Sequence, residues 1–141
     1  TRPVMVTDSG ELSTWLRTGP LSDVLGISLY RLVWNEHLGS LYWPVGPAYY
    51  ADRMRLLGPV LKQVIVSEVQ AEPWFHKPVH EVPPEDQLAQ MPPDRIRANA
   101  AYAAASGATE VYLWGVEWWY WMARQSHPEL WEASRSLFAK P

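Results

Sequence analysis

The chain has 141 residues, 48% of them hydrophobic, with a formal net charge of −3 and no cysteine. That is long enough for one domain with its own core, and it excludes disulfides, thiolate metal sites and a cysteine nucleophile. The 12 Lys and Arg are scattered, which argues against a nucleic-acid or anionic-membrane partner, and no apolar run approaches the roughly 20 residues that cross a bilayer.

The opening stretch TRPVMVTDSG has no hydrophobic region followed by a cleavage site, so it does not read as a signal peptide. It also lacks an initiator methionine, and the chain is expected to be a processed product or a segment of a longer protein. No compartment follows from this. Residues 3–8 (PVMVTD) read as a first strand, and residues 10–17 (GELSTWLR) carry helical spacing at Leu12, Trp15 and Leu16. After the Gly19-Pro20 break, residues 23–34 (DVLGISLYRLVW) read as a second strand. Residues 49–62 place Tyr50, Met54, Leu57 and Leu61 on one helical face, with a kink or restart at Gly58-Pro59. Residues 63–68 (QVIVSE) are the third strand, and the proline-rich stretch behind them is expected to be irregular. Residues 92–107 predict a helix with Pro93 and Asp94 in its first turn and Gly107 as its stop. Residues 109–119 give the fourth strand and its exit, and residues 128–139 a last helix.

The order is therefore β-α-β-α-β-α-β-α. The strands are apolar throughout rather than alternating, as parallel strands covered on both faces are. Neither GxGxxG nor GxxxxGK[ST] occurs, which argues against a nucleotide fold, and no GxSxG elbow supports a serine hydrolase. Four parallel strands are half of a (β/α)8 barrel, which needs eight strands and about 250 residues. In such a barrel function gathers at the C-terminal strand ends. Here those ends carry Thr7, Asp8 and Glu11; Tyr30 and Arg31; Glu68, Gln70 and Glu72; and Trp114, Glu117 and Trp118. In a regular strand, Val64, Val66 and Glu68 share one face, which would carry Glu68 to the barrel rim.

Tryptophan usage points the same way. Nine Trp and seven Tyr stand against two Phe. Indole and phenol rings join a flat apolar face to a polar handle, which suits a cleft in which sugar C–H faces stack. His76 and His80 precede Glu81, but Pro78 lies between the histidines and opposes a helical metal pair. No metal and no cofactor are expected.

The stretches DVLGISLYR, VIVSEVQAEPW and EVYLWGVEWWYW, in that order, resemble the C-terminal half of a retaining glycoside hydrolase barrel of the large clan that includes the family 5 cellulases. The resemblance implies an α/β fold of parallel units numbered as strands five to eight. Residues 1–141 would be a single half-barrel segment of a larger catalytic domain, completed by a missing N-terminal half or by a homodimer. It implies Glu68 as nucleophile at the end of the seventh strand, Tyr30 as its hydrogen-bond partner, and Trp114 as the floor of the sugar subsite. Glu72, Trp74, Glu117 and Trp118 would be further substrate contacts, with Glu72 the alternative nucleophile. The clan's general acid/base is the Glu of an Asn-Glu pair on the fourth strand, outside this chain. The pair Asn35-Glu36 lies on the wrong strand for that role. Retaining hydrolysis uses two carboxyl groups about 5–5.5 Å apart, so the chain alone would hold an incomplete site acting on a carbohydrate substrate. Two other readings stand beside this one. The chain could be a non-catalytic carbohydrate-binding or interaction module with an aromatic cleft, or a barrel fragment with no independent function.

Overall fold

The structure, a computed structural model, describes residues 2–138. Strand β1 (Met5–Ser9) is followed by β2 (Val24–Leu29), then by a hairpin of β3 (Leu32–Asn35) and β4 (Gly39–Tyr42). Helix α1 (Pro47–Leu57) leads to β5 (Val64–Gln70), helices α2 (Pro84–Gln90) and α3 (Pro93–Ala104), strand β6 (Val111–Trp114), and helices α4 (Val116–Arg124) and α5 (Glu129–Ser136). The strands β1, β2, β5 and β6 form one sheet in that order. Its ladders are parallel, with Met5 opposite Val24 and Leu25 opposite Val64. Each strand of this sheet lies beside the previous one, so the order never reverses.

Contacts divide the chain into two compact units. The first comprises Thr1–Tyr30, Pro44–Val69 and Ala101–Tyr112; the second comprises Arg31–Trp43, Gln70–Ala100 and Leu113–Pro141. In the first unit Leu25, Ile27 and Leu29 from β2 are buried, as are Ile65, Val66 and Val69 from β5, with Trp15, Tyr50 and Ala103. In the second, Ala71, Met91, Ile96, Trp118, Trp119, Met122 and Leu130 form one apolar cluster. There the buried Gln70 amide accepts from Leu32 N (2.9 Å) and donates to Leu32 O (2.8 Å), so a strand-end polar residue serves as backbone glue for β3.

Several expectations are corrected. Residues 10–17 form no helix. The buried Trp15 sits at φ +65° with its indole N–H on Ser9 O, and Asp8 accepts from Ser13 and Thr18. Tertiary pinning of this loop overrides its helical spacing. The second strand stops at Leu29, and the remainder of its apolar run enters the β3–β4 hairpin. Asn35-Glu36 lies at that hairpin's turn: Asn35 Oδ1 accepts from His37 N and Leu38 N, and Glu36 is exposed. This is the turn chemistry of asparagine. The proline-rich stretch contains a 3₁₀ turn at Val79–Glu81 and the start of α2 at Pro84. The fourth strand ends at Trp114, because Gly115 at φ +138° turns the chain directly into α4. The last helix ends at Ser136, and the expected end at Ala139 lies outside the described residues.

Strand β5 also departs from regular alternation. Ile27 is opposite Val66, but Ser28 is opposite Glu68, so Ser67 is an extra residue on β5. A bulge of this kind bends the strand and re-aims the side chains after it. Val64, Val66 and Glu68 therefore do not share one face as a regular strand would place them.

Candidate functional site

In the first unit, Glu68 is half-buried on β5 and Tyr30 directly follows β2, the strand beside it. The Tyr30 hydroxyl donates to Glu68 Oε2 at 3.1 Å. The ladder between β2 and β5 makes this contact, since it sets Leu29 opposite Val69. Among the described residues no ion pair reaches Glu68.

Two more carboxylates of this unit lie at the end of β1 and just beyond it. Asp8 accepts from Thr18 Oγ1 (2.6 Å), Ser13 Oγ (2.7 Å) and Ser9 N (2.8 Å). Burial works against its charge, but these hydrogen bonds and the Arg53 guanidinium outweigh it and hold Asp8 below the usual carboxylate range. Burial pushes Glu11 upward, against the opposing pull of the Tyr50 hydroxyl at 2.7 Å, backbone donors and Arg53. The Tyr50 phenol is in turn pushed far above its ordinary value by burial and by Glu11. Arg53 lies 3.9 Å over the Trp15 ring and donates to Gly10 O, Ser13 O and the Tyr49 hydroxyl. Each of these side chains has a partner, and sequence reading placed only the two acids of this cluster at a strand end.

In the second unit, the backbone around Glu72 is fixed from both sides. Ala71 N donates to Trp114 O (2.9 Å), and the buried Trp119 indole donates to Ala71 O (2.7 Å). A side chain at Gly115 would stand 2.9 Å from Ala71 O and 3.0 Å from Glu72 Cβ, so only glycine admits this close passage. Glu72 is half-buried and accepts a hydrogen bond from Trp114 Nε1 at 3.0 Å. Desolvation pushes its carboxyl up, the indole N–H opposes this, and the Glu117 charge pushes it higher. Glu72, Val79, His80, Glu117, Trp118 and Trp121 line a cleft of about 250 Å³. Glu117 is exposed in the first turn of α4 and forms no ion pair among the described residues.

The other expected contacts divide. Trp114 is 49% exposed and Trp74 47%, so both present indole surface. Trp118 is instead a core residue, with its N–H on Gln87 Oε1 at 2.7 Å. It lines the cleft while only 3% exposed. His76 packs its ring 5.4 Å from that of Trp34, and His80 lies 3.9 Å from Glu81. Among the described residues no group of three His, Cys, Asp or Glu is placed to hold a metal ion, and no helix is long and apolar enough to cross a membrane. Sequence reading did not see that Glu72 and Glu117 share a cleft. The signal available was the Trp-Gly-Val-Glu turn at residues 114–117, where a glycine after an apolar run ends the strand and starts a helix. Comparison with family models, curated proteins and solved structures found no match.

Proposed function

We propose that this chain is the C-terminal half of a retaining glycoside hydrolase barrel and acts on a carbohydrate. Glu68 attacks the anomeric carbon and Tyr30 orients it. The observation that carries this reading is the hydrogen bond from the Tyr30 hydroxyl to Glu68 Oε2 at 3.1 Å, made between the neighbouring parallel strands β2 and β5. A donor on one carboxylate oxygen stabilises its negative charge and leaves the other oxygen for attack. The bulge at Ser67, directly before Glu68, is a further support, since bulges recur beside active sites.

Strand order supports the half-barrel. Parallel strands laid down in chain order are the winding of a (β/α)8 barrel, whereas a doubly wound sheet reverses at a switch point. The outer strands β1 and β6 carry exposed apolar residues, Met5 at 53% and Tyr112 at 52%. Open edges of this kind seek partners, and a second copy of the chain or a preceding half-barrel would close them.

Light scattering behind size exclusion tests the assembly. A discrete species near twice 16.1 kDa is expected for two copies closing one barrel. Replacing Glu68 with Gln tests the chemistry: turnover should vanish while circular dichroism stays unchanged. Wild-type activity in that variant would refute the assignment. Sugar binding that is insensitive to Glu68, with no hydrolysis, would make the protein a carbohydrate-binding module instead.

A further inference from the structure

We propose that the groove between α4 and α5 binds a small neutral molecule built on one aromatic ring that carries a hydroxyl group, a phenol in its simplest form. The inference goes beyond the hydrolase reading and does not depend on it. The groove lies wholly within the second unit and holds about 190 Å³, with Val116, Trp119, Trp131, Ser134, Arg135 and Phe138 as its lining. The surface it offers is apolar, so Arg135 contributes its aliphatic stem, the part of this side chain that covers apolar surface. An apolar cavity of about 150 Å³ is enough to take up benzene, so the volume here suits one ring rather than a long chain.

The Ser134 hydroxyl selects the ligand. Ser134 is 2% exposed, lines the groove, and its Oγ has no hydrogen-bond partner among the described residues. A serine inside a helix ordinarily returns its hydroxyl to a carbonyl of the preceding turn. Ser136 of the same helix does so, donating to Ala133 O at 2.6 Å. Ser134 does not, and a buried polar group left unpaired is destabilising. The walls around it are already fixed. The Trp119 indole N–H is engaged by Ala71 O at 2.7 Å, and Trp131 meets the Tyr120 ring edge to face at 6.3 Å. A water in this groove would find Ser134 and an apolar lining, whereas an ordered buried water makes about three hydrogen bonds. A ligand hydroxyl pairs with Ser134 either as donor or as acceptor, while its ring covers Trp131 and the exposed Val116 and Phe138. A carboxylate on that ring is disfavoured. It would lose its hydration against an apolar lining, and Glu132 shares the adjoining hollow with Arg135.

The test is an NMR titration of the whole isotope-labelled chain with phenol, benzene and benzoate, read on the indole N–H groups of Trp119 and Trp131 and on the amides of α5. Phenol should saturate these resonances and bind about tenfold more tightly than benzene, the usual contribution of one hydrogen bond. Benzoate should bind more weakly than phenol. Ser134→Ala should weaken phenol about tenfold, leave benzene unchanged, and hold or raise the thermal midpoint, because the unpaired hydroxyl is gone. Phe138→Ala, a change at the exposed rim, should weaken phenol and benzene alike. Equal affinity for phenol and benzene, or a phenol affinity untouched by Ser134→Ala, would take the hydroxyl out of recognition and overturn the inference. Tighter binding of benzoate would overturn it by making the groove an anion site. Shifts that stay linear in phenol, or that fall elsewhere in the chain, would also overturn it. So would an absence of shifts in a chain that runs at twice its mass, which would give the groove to a second copy.

Discussion

The two units each carry a pair of carboxylates at or beyond a strand end, and the pairs are built in opposite ways. In the first, Asp8 and Glu11 are surrounded by donors: three on Asp8, the Tyr50 hydroxyl on Glu11, and the Arg53 guanidinium between the Trp15 ring and the Gly10 and Ser13 carbonyls. In the second, Glu72 has an indole donor and Glu117 has no ion-pair partner among the described residues, yet both face a cleft. A satisfied carboxylate holds a loop. An under-satisfied carboxylate beside open space has bonding capacity left for a ligand. Acid at a strand end therefore carries little meaning until its partners are counted.

The comparison is sharpened first by activity. Glu68→Gln should abolish turnover with no change in the unfolding midpoint, whereas Arg53→Ala should act on stability. Gly115→Ala comes next. It places a side chain on a backbone at φ +138° and against Ala71 O, and should cost about 2–4 kcal/mol in urea unfolding. A smaller loss, about 2–3 kcal/mol, is expected for Arg53→Ala, which unpairs two carbonyls and a tyrosine hydroxyl and uncovers the Trp15 ring.

The smallest effect is the most discriminating, because its pH dependence reverses between the units. Asp8 is held below its ordinary value of 3.8, so its contribution is present above that value and is lost as pH falls through the folded value. Asp8→Asn should therefore cost about 1 kcal/mol at neutral pH and progressively less in acid. Glu72 is raised, so ionising it in the folded state is unfavourable, and stability falls as pH rises through its folded value. Glu72→Gln, which keeps an acceptor for the Trp114 indole, should leave stability equal or slightly higher at neutral pH, with no gain below the ordinary value of 4.5. Thermal melts across pH check both signs. Parallel behaviour of the two variants would remove the contrast.

The parallel strands were legible because their β-branched and apolar runs are local signals: Val64–Val66 heads β5, and Val24–Leu29 lies inside the expected second strand. Helix α3 was legible from Pro93 and Gly107. The loop after β1 was not, because Trp15 owes its positive φ to burial and to a hydrogen bond with Ser9 O, neither of which spacing reveals. Helix α4 was hidden because a Trp- and Tyr-rich run suits strand and helix alike; the periodicity of Trp118, Trp119 and Met122 was the available evidence. The bulge at Ser67 is a property of pairing with β2, not of β5 alone. Tyr30 was readable as a strand-end residue, whereas β5 runs two residues past Glu68 to Gln70. The shared cleft of Glu72 and Glu117 was not readable, because it depends on the turn at Gly115.

The most direct test of the account is to trap the glycosyl-enzyme with a 2-deoxy-2-fluoroglycoside bearing a dinitrophenyl leaving group, and to map the labelled peptide by mass spectrometry. The account predicts one sugar per chain, esterified to Glu68. A label on another carboxylate, or none after prolonged incubation, would contradict it.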